Sequence, residues 1–336
     1  MADTATQPTV RDIAKVAGVS IGTVSRALKG QGGLTEDTRQ QVLGFAEKLG
    51  YDLGRLRSVR PRRILVLMER KRGNITDNPF YSPVLHGAED GCRLEGVALS
   101  YNTLAPGDNV AEILRIQEPD ALLCIGSFDA SLFQELRRGN YPMVLVDTHS
   151  SDFPCVNSDN VAGAYQATQH LIALGKKRIV FLGGPPYYSI LQRLEGYRQA
   201  MQDAGQEPRE VFGTDEGAHH AIEMATKLLS EQGRSSVQGR PDAIVAYNDL
   251  YALAVLQVCQ QMGLRVPQDV AVTGYDDIIQ SEQSTPSLTT IRVDKEALGK
   301  EGVRLLLHPK VRQQPHVVIP VRLIVRESTR ATKSAG

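Results

Sequence analysis

Thr9-Val10-Arg11-Asp12-Ile13-Ala14-Lys15-Val16-Ala17-Gly18-Val19-Ser20-Ile21-Gly22-Thr23-Val24-Ser25-Arg26-Ala27-Leu28 is the stretch that decides how this 336-residue chain is built. Thr9 followed three residues on by Asp12 is a capping box, so a helix is expected to start there. Val10, Ile13, Ala14 and Ala17 then fall on one face of two turns. Gly18 permits a tight turn, Val19 can plug the space between helices, and Ser20 is a good N-cap for a second helix through Thr23, Val24, Ala27 and Leu28. Gly30, Gly32 and Gly33 end it. Leu34 and Thr35 read as staple and cap of a third helix that buries Val42, Phe45, Ala46 and Leu49 and closes at Gly50. Two short helices across a glycine turn, with a third in support, form a helix-turn-helix. Its second helix presents N-terminal side chains to base edges in the major groove, while cap amides and basic residues hold phosphates.

The charge distribution agrees. The chain carries 38 basic and 38 acidic side chains, which taken alone argues against a nucleic-acid partner. Residues 1–63, however, hold 11 basic and 6 acidic groups, a net +5, and the remainder holds 27 and 32, a net −5. A small basic unit on a larger acidic one is expected of a DNA-binding head on a regulatory body. The length suggests two or three domains. Cys92, Cys124, Cys155 and Cys259 are scattered without a C-x-x-C pair, so buried reduced thiols are expected rather than a metal site or disulfides. No apolar run approaches the ~20 residues of a membrane span. The polar start lacks a signal-peptide pattern, so a cytoplasmic location is expected.

Beyond residue 63 short apolar runs alternate with helical patterns. Expected strands are Ile64–Met68, Val97–Tyr101, Ala121–Ile125, Met143–Val146, Arg178–Leu182, Ala243–Ala246 and Val270–Thr273. Expected helices include Ser82–Glu95, Ala162–Ala173, Arg193–Ala204, Ala218–Glu231 and Leu250–Met262. This alternation predicts an α/β body of parallel sheets covered by helices, and its length predicts two doubly wound lobes. Ligands of such sheets sit at the carboxyl ends of strands. There the chain places Asn78-Pro79-Phe80-Tyr81, Asp147, Gly183-Gly184-Pro185-Pro186-Tyr187-Tyr188, Asn248-Asp249 and Gly274-Tyr275-Asp276-Asp277. Asp, Asn, Arg and aromatic groups suit a cleft that bonds polyol hydroxyls and covers a sugar's apolar face.

The quoted stretch, with Thr38-Arg39 and Leu49-Gly50-Tyr51, resembles the N-terminal signature of the lactose/galactose-repressor (LacI/GalR) family. The resemblance continues through Val156-Asn157-Ser158-Asp159-Asn160, Arg193-Leu194-Glu195-Gly196-Tyr197, Tyr247-Asn248-Asp249, Gly274-Tyr275-Asp276-Asp277, Pro286–Ile291 and Arg326-Glu327-Ser328. It implies an all-α head at 8–53, a basic linker at 54–63 and a periplasmic-binding-protein-like body at 64–330. Lobe 1 is expected at about 64–158 and 292–316, and lobe 2 at about 160–290 and 317–330. Carried over by position, the DNA contacts are Thr9, Ser20, Ile21, Gly22, Thr23, Ser25, Arg26 and Lys29, with Arg60 in the linker. Arg26 is expected to dominate polar readout, because it can donate two bonds to guanine whereas Ile21 has only an apolar contact to give. The effector contacts are Phe80, Asp147, Arg193, Asn248 and Asp276, with Tyr187 and Ser189 as weaker candidates.

The family's linker folds as a hinge helix and wedges a leucine into the minor groove. At that spacing this chain has Arg60, in a shorter linker interrupted by Gly54 and ended by Pro61. Two readings stay open: Arg55, Arg57, Arg60, Arg62 and Arg63 act on phosphates or a narrowed minor groove, or they form a solvated basic tether. Two further departures are Gly175-Lys176 in place of Gly-His, and Asp215 where an aromatic platform is usual. With no heptad segment after Arg330 for a tetramerising coil, the resemblance implies a homodimer.

The function expected is a DNA-binding repressor of carbohydrate genes switched by a small effector, with no cofactor and no membrane partner. The alternatives are a receptor-like sugar-binding protein, or a regulator using a purine or sugar phosphate. No phosphate fingerprint or nucleophile elbow supports an enzyme, and His219-His220 reads as a surface pair.

Overall fold

The computed structural model describes residues 8–28, 33–51, 60–69, 79–105, 107–128, 130–215, 217–230, 239–308 and 316–330. The head has helices α1 (Val10–Ala17), α2 (Ile21–Leu28) and α3 (Glu36–Lys48). The capping box forms: the Asp12 amide donates to Thr9 Oγ1 at 3.4 Å, and the Thr9 amide to Asp12 Oδ2 at 2.7 Å. Gly18 sits at φ +68°, a left-handed turn that glycine adopts without strain. Ile13, Ala14, Ala17, Val24, Ala27, Val42 and Ala46 fill the core, with Val19, Leu34, Phe45 and Leu49 around it.

Lobe 1 is a parallel sheet of β1 (Arg63–Glu69), β2 (Ala98–Leu104), β3 (Ala121–Ile125), β4 (Met143–Val146), β5 (Cys155–Ser158) and a late strand, β11 (His316–Ile319). Their order is β11-β5-β4-β3-β1-β2. Lobe 2 is built on β6 (Ile179–Gly183), β7 (Arg209–Phe212), β8 (Ala243–Ala246) and β9 (Ala271–Thr273), in the order β7-β6-β8-β9. The central strands are buried along their length, which is why they read as unbroken apolar runs. A two-stranded antiparallel ribbon, β10 (Thr290–Val293) with β12 (Val321–Ile324), joins the lobes.

The third crossing differs from expectation. Residues 317–319 belong to lobe 1, because β11 pairs with β5 throughout, His316 with Cys155 to Ile319 with Ser158. Pro320, which lacks an amide donor, separates β11 from the ribbon. Helix α8 (Tyr188–Asp203) begins just after Pro185-Pro186, so Arg193 lies in its second turn rather than at its start. Helices α5 (Val110–Gln117) and α6 (Ala130–Arg138), with β5, β7 and the whole β10–β12 segment, are not among the expected elements.

Two helix pairs approach closely enough to demand glycine. A Cβ on Gly299 of α12 (Lys295–Leu307) would lie 2.0 Å from the Val84 carbonyl oxygen of α4 (Tyr81–Leu94). One on Gly196 of α8 would lie 2.1 Å from the Val161 carbonyl oxygen of α7 (Asn160–Ala173). Each helix pair must part to accept a methyl group. Gly299→Ala and Gly196→Ala should each lose at least about 1–3 kcal/mol in urea unfolding. Gly44→Ala, whose Cβ meets nothing within 4 Å, is the control.

Candidate nucleic-acid interface and effector cleft

In the head, burying Val24 and Ala27 against α1 and α3 turns the opposite face of α2 outward. Ile21, Gly22 and Arg26 are exposed there, Ile21 at 51%, with Thr23 and Ser25 half-buried beside them. Ser20 caps the helix by accepting the Thr23 amide at 3.0 Å, and its Oγ lies 2.8 Å from the Thr23 hydroxyl. The Arg26 Nε donates to the Gly22 carbonyl at 3.4 Å, so its guanidinium lies along the exposed face. Thr9 serves the cap of α1, where its hydrogen bonds hold the Asp12 carboxyl below its ordinary range. Lys29 and linker residues 54–59 lie outside the described residues.

Arg60 has a partner within the chain. Its guanidinium is paired with the Glu95 carboxylate and donates to the Glu95 carbonyl at 3.1 Å, at the C-cap of α4. A carboxylate and a helix C-terminus both attract a cation, so Arg60 rests on lobe 1 in this structure, in a half-exposed surface pair.

The cleft residues gather around Arg193, which is buried. Its Nε donates to Asn160 Oδ1 at 2.8 Å, Nη1 donates to the Tyr247 carbonyl at 2.6 Å, and Nη2 lies 3.4 Å from Asp276 Oδ1. The guanidinium also covers the Tyr275 ring at 3.7 Å. Burial works against the Arg193 cation, yet Asp276, then Tyr275, Asp147 and Tyr247, raise its pKa overall. Burial likewise pushes the Asp276 carboxyl well above the usual carboxylate range, with Arg193 opposing. Asp276 Oδ1 accepts no hydrogen bond among the described residues.

Asp147 comes from the other lobe, at the end of β4, and accepts the Tyr81 hydroxyl at 3.0 Å. It acts electrostatically on both Arg193 and Asp276, so the three groups share one site across the lobes. Asp147 and Asp276 hold positive φ, 59° and 111°, and such strain in non-glycine residues concentrates at functional positions. Phe80 is not an open platform: it is buried in the lobe 1 core, edge-on to Tyr81 at 5.1 Å. Tyr81, which the sequence does not single out as a contact, makes the link to Asp147. Asn248 caps α10 (Asp249–Gln261) by accepting the Tyr251 amide at 3.0 Å. Ser189 is buried in the first turn of α8, and Tyr187 packs half-buried against the lobe 2 core. Asp215 accepts the Gly217 amide of its own loop at 2.7 Å. The Asp215 carbonyl accepts the Tyr251 hydroxyl, and Phe212, three residues earlier in the chain, is half-exposed and rests on Gly183, where a Cβ would lie 2.7 Å from the ring.

The sequence presents Asp249 only as part of a motif, yet it anchors the floor. Its carboxylate accepts the Ile278 amide at 2.9 Å, the Ser281 hydroxyl at 2.7 Å and the Thr290 hydroxyl at 2.5 Å. Burial raises its pKa, with the two hydroxyls opposing. It thereby ties the 274–278 loop to the interlobe ribbon.

Residues 9–52 match the family described as bacterial regulatory proteins, lacI family, and 168–329 match the periplasmic binding protein-like domain. The ribose operon repressor of Bacillus subtilis (strain 168) is 32% identical over 333 residues, 96% of this chain and 98% of that protein. The chain belongs to the lacI family. Another relative, the HTH-type transcriptional repressor PurR of Photobacterium profundum, is 30% identical, covering 92% of this chain and 93% of that one. Among solved structures, a transcriptional regulator CelR–cellobiose complex has a TM-score of 0.69 at 29% identity, covering 96% and 99% of the two chains. A lac repressor dimer bound to operator shares the fold, with a TM-score of 0.69 at 24% identity. This lacI-family chain is a DNA-binding transcriptional regulator with an effector-binding body, and not an enzyme. Among the described residues no helix is long and apolar enough to cross a membrane.

Proposed function

We propose that this regulator is a cytoplasmic homodimer that represses carbohydrate genes and responds to an uncharged sugar held between its lobes. The Arg193–Asp276–Asp147 constellation carries this reading. Each nitrogen of Arg193 already faces an acceptor of the chain, Asn160, Tyr247 or Asp276, and the negative charges of Asp276 and Asp147 around it disfavour a phosphate or carboxylate ligand. Asp276 Oδ1 faces Arg193 Nη2 only as an ion pair at 3.4 Å and accepts no hydrogen bond among the described residues, so a sugar hydroxyl has an acceptor there. The names of two similar proteins, a ribose operon repressor and a regulator solved with cellobiose, support a sugar.

The same geometry connects ligand to DNA. Arg193 grips Asn160 at the first crossing, and Asp249 grips Thr290 at the ribbon, so a ligand on Asp276 and Asp147 biases how the lobes close. Closure resets the spacing of two heads that fit half-sites ~34 Å apart. In a thermal-shift screen of sugars, sugar phosphates and nucleobases, a neutral sugar should raise the melting temperature. A response to phosphates alone contradicts the sugar assignment.

Asp276→Asn tests the carboxylate. An acid with a raised folded-state pKa keeps its proton longer in the folded chain, so its burden on stability is absent at low pH and grows as pH rises from about 4. Asp276→Asn should therefore flatten the loss of stability between pH 5 and 8, while weakening sugar binding. Urea unfolding at several pH values and calorimetry with the sugar measure the two effects.

A further inference from the structure

Three rings outside the Arg193 site meet where the lobes face each other. His149 lies in the loop after β4 and His316 opens β11, both in lobe 1, whereas Tyr188 opens α8 in lobe 2. The His149 and Tyr188 rings stack with centroids 4.9 Å apart and planes 17° from parallel. His316 lies 5.4 Å from His149 and 6.4 Å from Tyr188.

Asn157 fixes the protonation state that this arrangement needs. Its Nδ2 donates to the Thr148 carbonyl at 3.0 Å and lies 3.1 Å from His316 Nε2. An amide nitrogen only donates, so His316 Nε2 must accept, and an imidazole accepts only when neutral. Asn157 Oδ1 accepts no hydrogen bond among the described residues. A proton on Nε2 sets two donors against each other. The amide resolves the conflict by turning its Oδ1 toward His316, which sacrifices the bond to Thr148, the residue preceding the stacked His149.

We propose that His149, Tyr188 and His316 form a proton-sensitive latch between the lobes, closed while His316 is neutral and released by acidification. The other titratable groups facing it do not compensate a new cation. Cys155, the strand partner of His316, is a buried thiol whose pKa burial raises. Asp152 in the His149 loop is paired with Arg137 at 2.8 Å, and Asp147 receives Tyr81. Among the described residues neither His149 nor His316 has a carboxylate within ion-pair distance, so protonating both rings sets like charges together. Burial, and then His149, lower the His316 pKa. The sign follows: a base with a depressed pKa in the closed form favours closure fully above about 6.5, and that support fades as pH falls below it. None of this depends on which effector binds.

The test is interlobe energy transfer in the full chain, with dyes on Glu135→Cys in lobe 1 and Gln199→Cys in lobe 2. Both sites are exposed, whereas the four native cysteines are buried. Between pH 8 and 5 the wild-type background should show transfer efficiency changing with a midpoint below about 6.5, matching the histidine NMR titration of His316. His316→Gln keeps an acceptor for Asn157 and should hold the closed value with no transition. Tyr188→Ala should show the open value throughout, with circular dichroism checking the fold. A flat wild-type profile, an unshifted transition in His316→Gln, or a His316 midpoint at or above 6.5 overturns the latch. The NMR titration needs no variant.

Discussion

Arg193→Met should destabilise the body by about 3–5 kcal/mol at pH 7.5 and abolish its response to sugar. The reason is what the substitution leaves behind: the Tyr247 carbonyl loses its Arg193 donor, Asn160 Oδ1 keeps only the Ser158 hydroxyl at 3.3 Å, and the buried Asp276 carboxylate loses the guanidinium paired with it, with Lys295 the cation that remains. The penalty depends on pH in a defined direction. Without Arg193 the Asp276 pKa rises further, and protonation removes the unpaired charge, so urea unfolding at pH 5.5 should show a smaller loss than at pH 7.5. Adding Asp276→Asn to Arg193→Met should recover part of the stability without restoring the sugar response. That non-additivity distinguishes a broken charge pair from a cavity, because a cavity is indifferent to pH and to the state of Asp276.

The second large effect belongs to the head. Arg26→Ala should reduce discrimination between operator and single-base variants by about 1–3 kcal/mol, roughly 5–150-fold, at one symmetric position of each half-site. Arg26 is the long polar side chain on the exposed face of α2, and Ile21 and Gly22 at its N-terminus bring no polar group to a base edge. Competition titrations with a set of substituted operators read the change. A uniform loss across all sequences would instead make Arg26 a phosphate contact, and should come with a shallower salt dependence.

How much of this is legible in the sequence depends on how local each cause is. The capping box, Gly18 and the Ser20 cap act within four residues, so the head is readable turn by turn. Central strands are readable because burial on both faces writes a continuous apolar run, as in Ala121–Ile125 and Met143–Val146. Short segments held mainly by their partners are not. The ribbon exists because Arg292 and its neighbours pair with residues some thirty positions away. The first turn of α8 escapes the helical pattern although Pro185-Pro186 marks its approach. Within the cleft, the motif positions Asp147, Arg193 and Asp276 lie together, while the link to Asp147 is made by Tyr81, next to the buried Phe80. The Arg60–Glu95 pair is not legible because nothing near Arg60 in sequence announces Glu95, 35 residues on. The His149–Tyr188 stack joins two lobes and carries no local signature at all.

The head and the cleft matter together only if they are coupled, and one titration measures that. Fluorescence anisotropy of labelled DNA from upstream of the regulator's own coding sequence, with the full chain at fixed salt, should show tight binding. One neutral sugar should shift that binding ~5–150-fold, a coupling of ~1–3 kcal/mol, and Arg193→Met should lose the shift while still binding DNA. An operator affinity that no sugar moves, or a shift that survives Arg193→Met undiminished, contradicts the account.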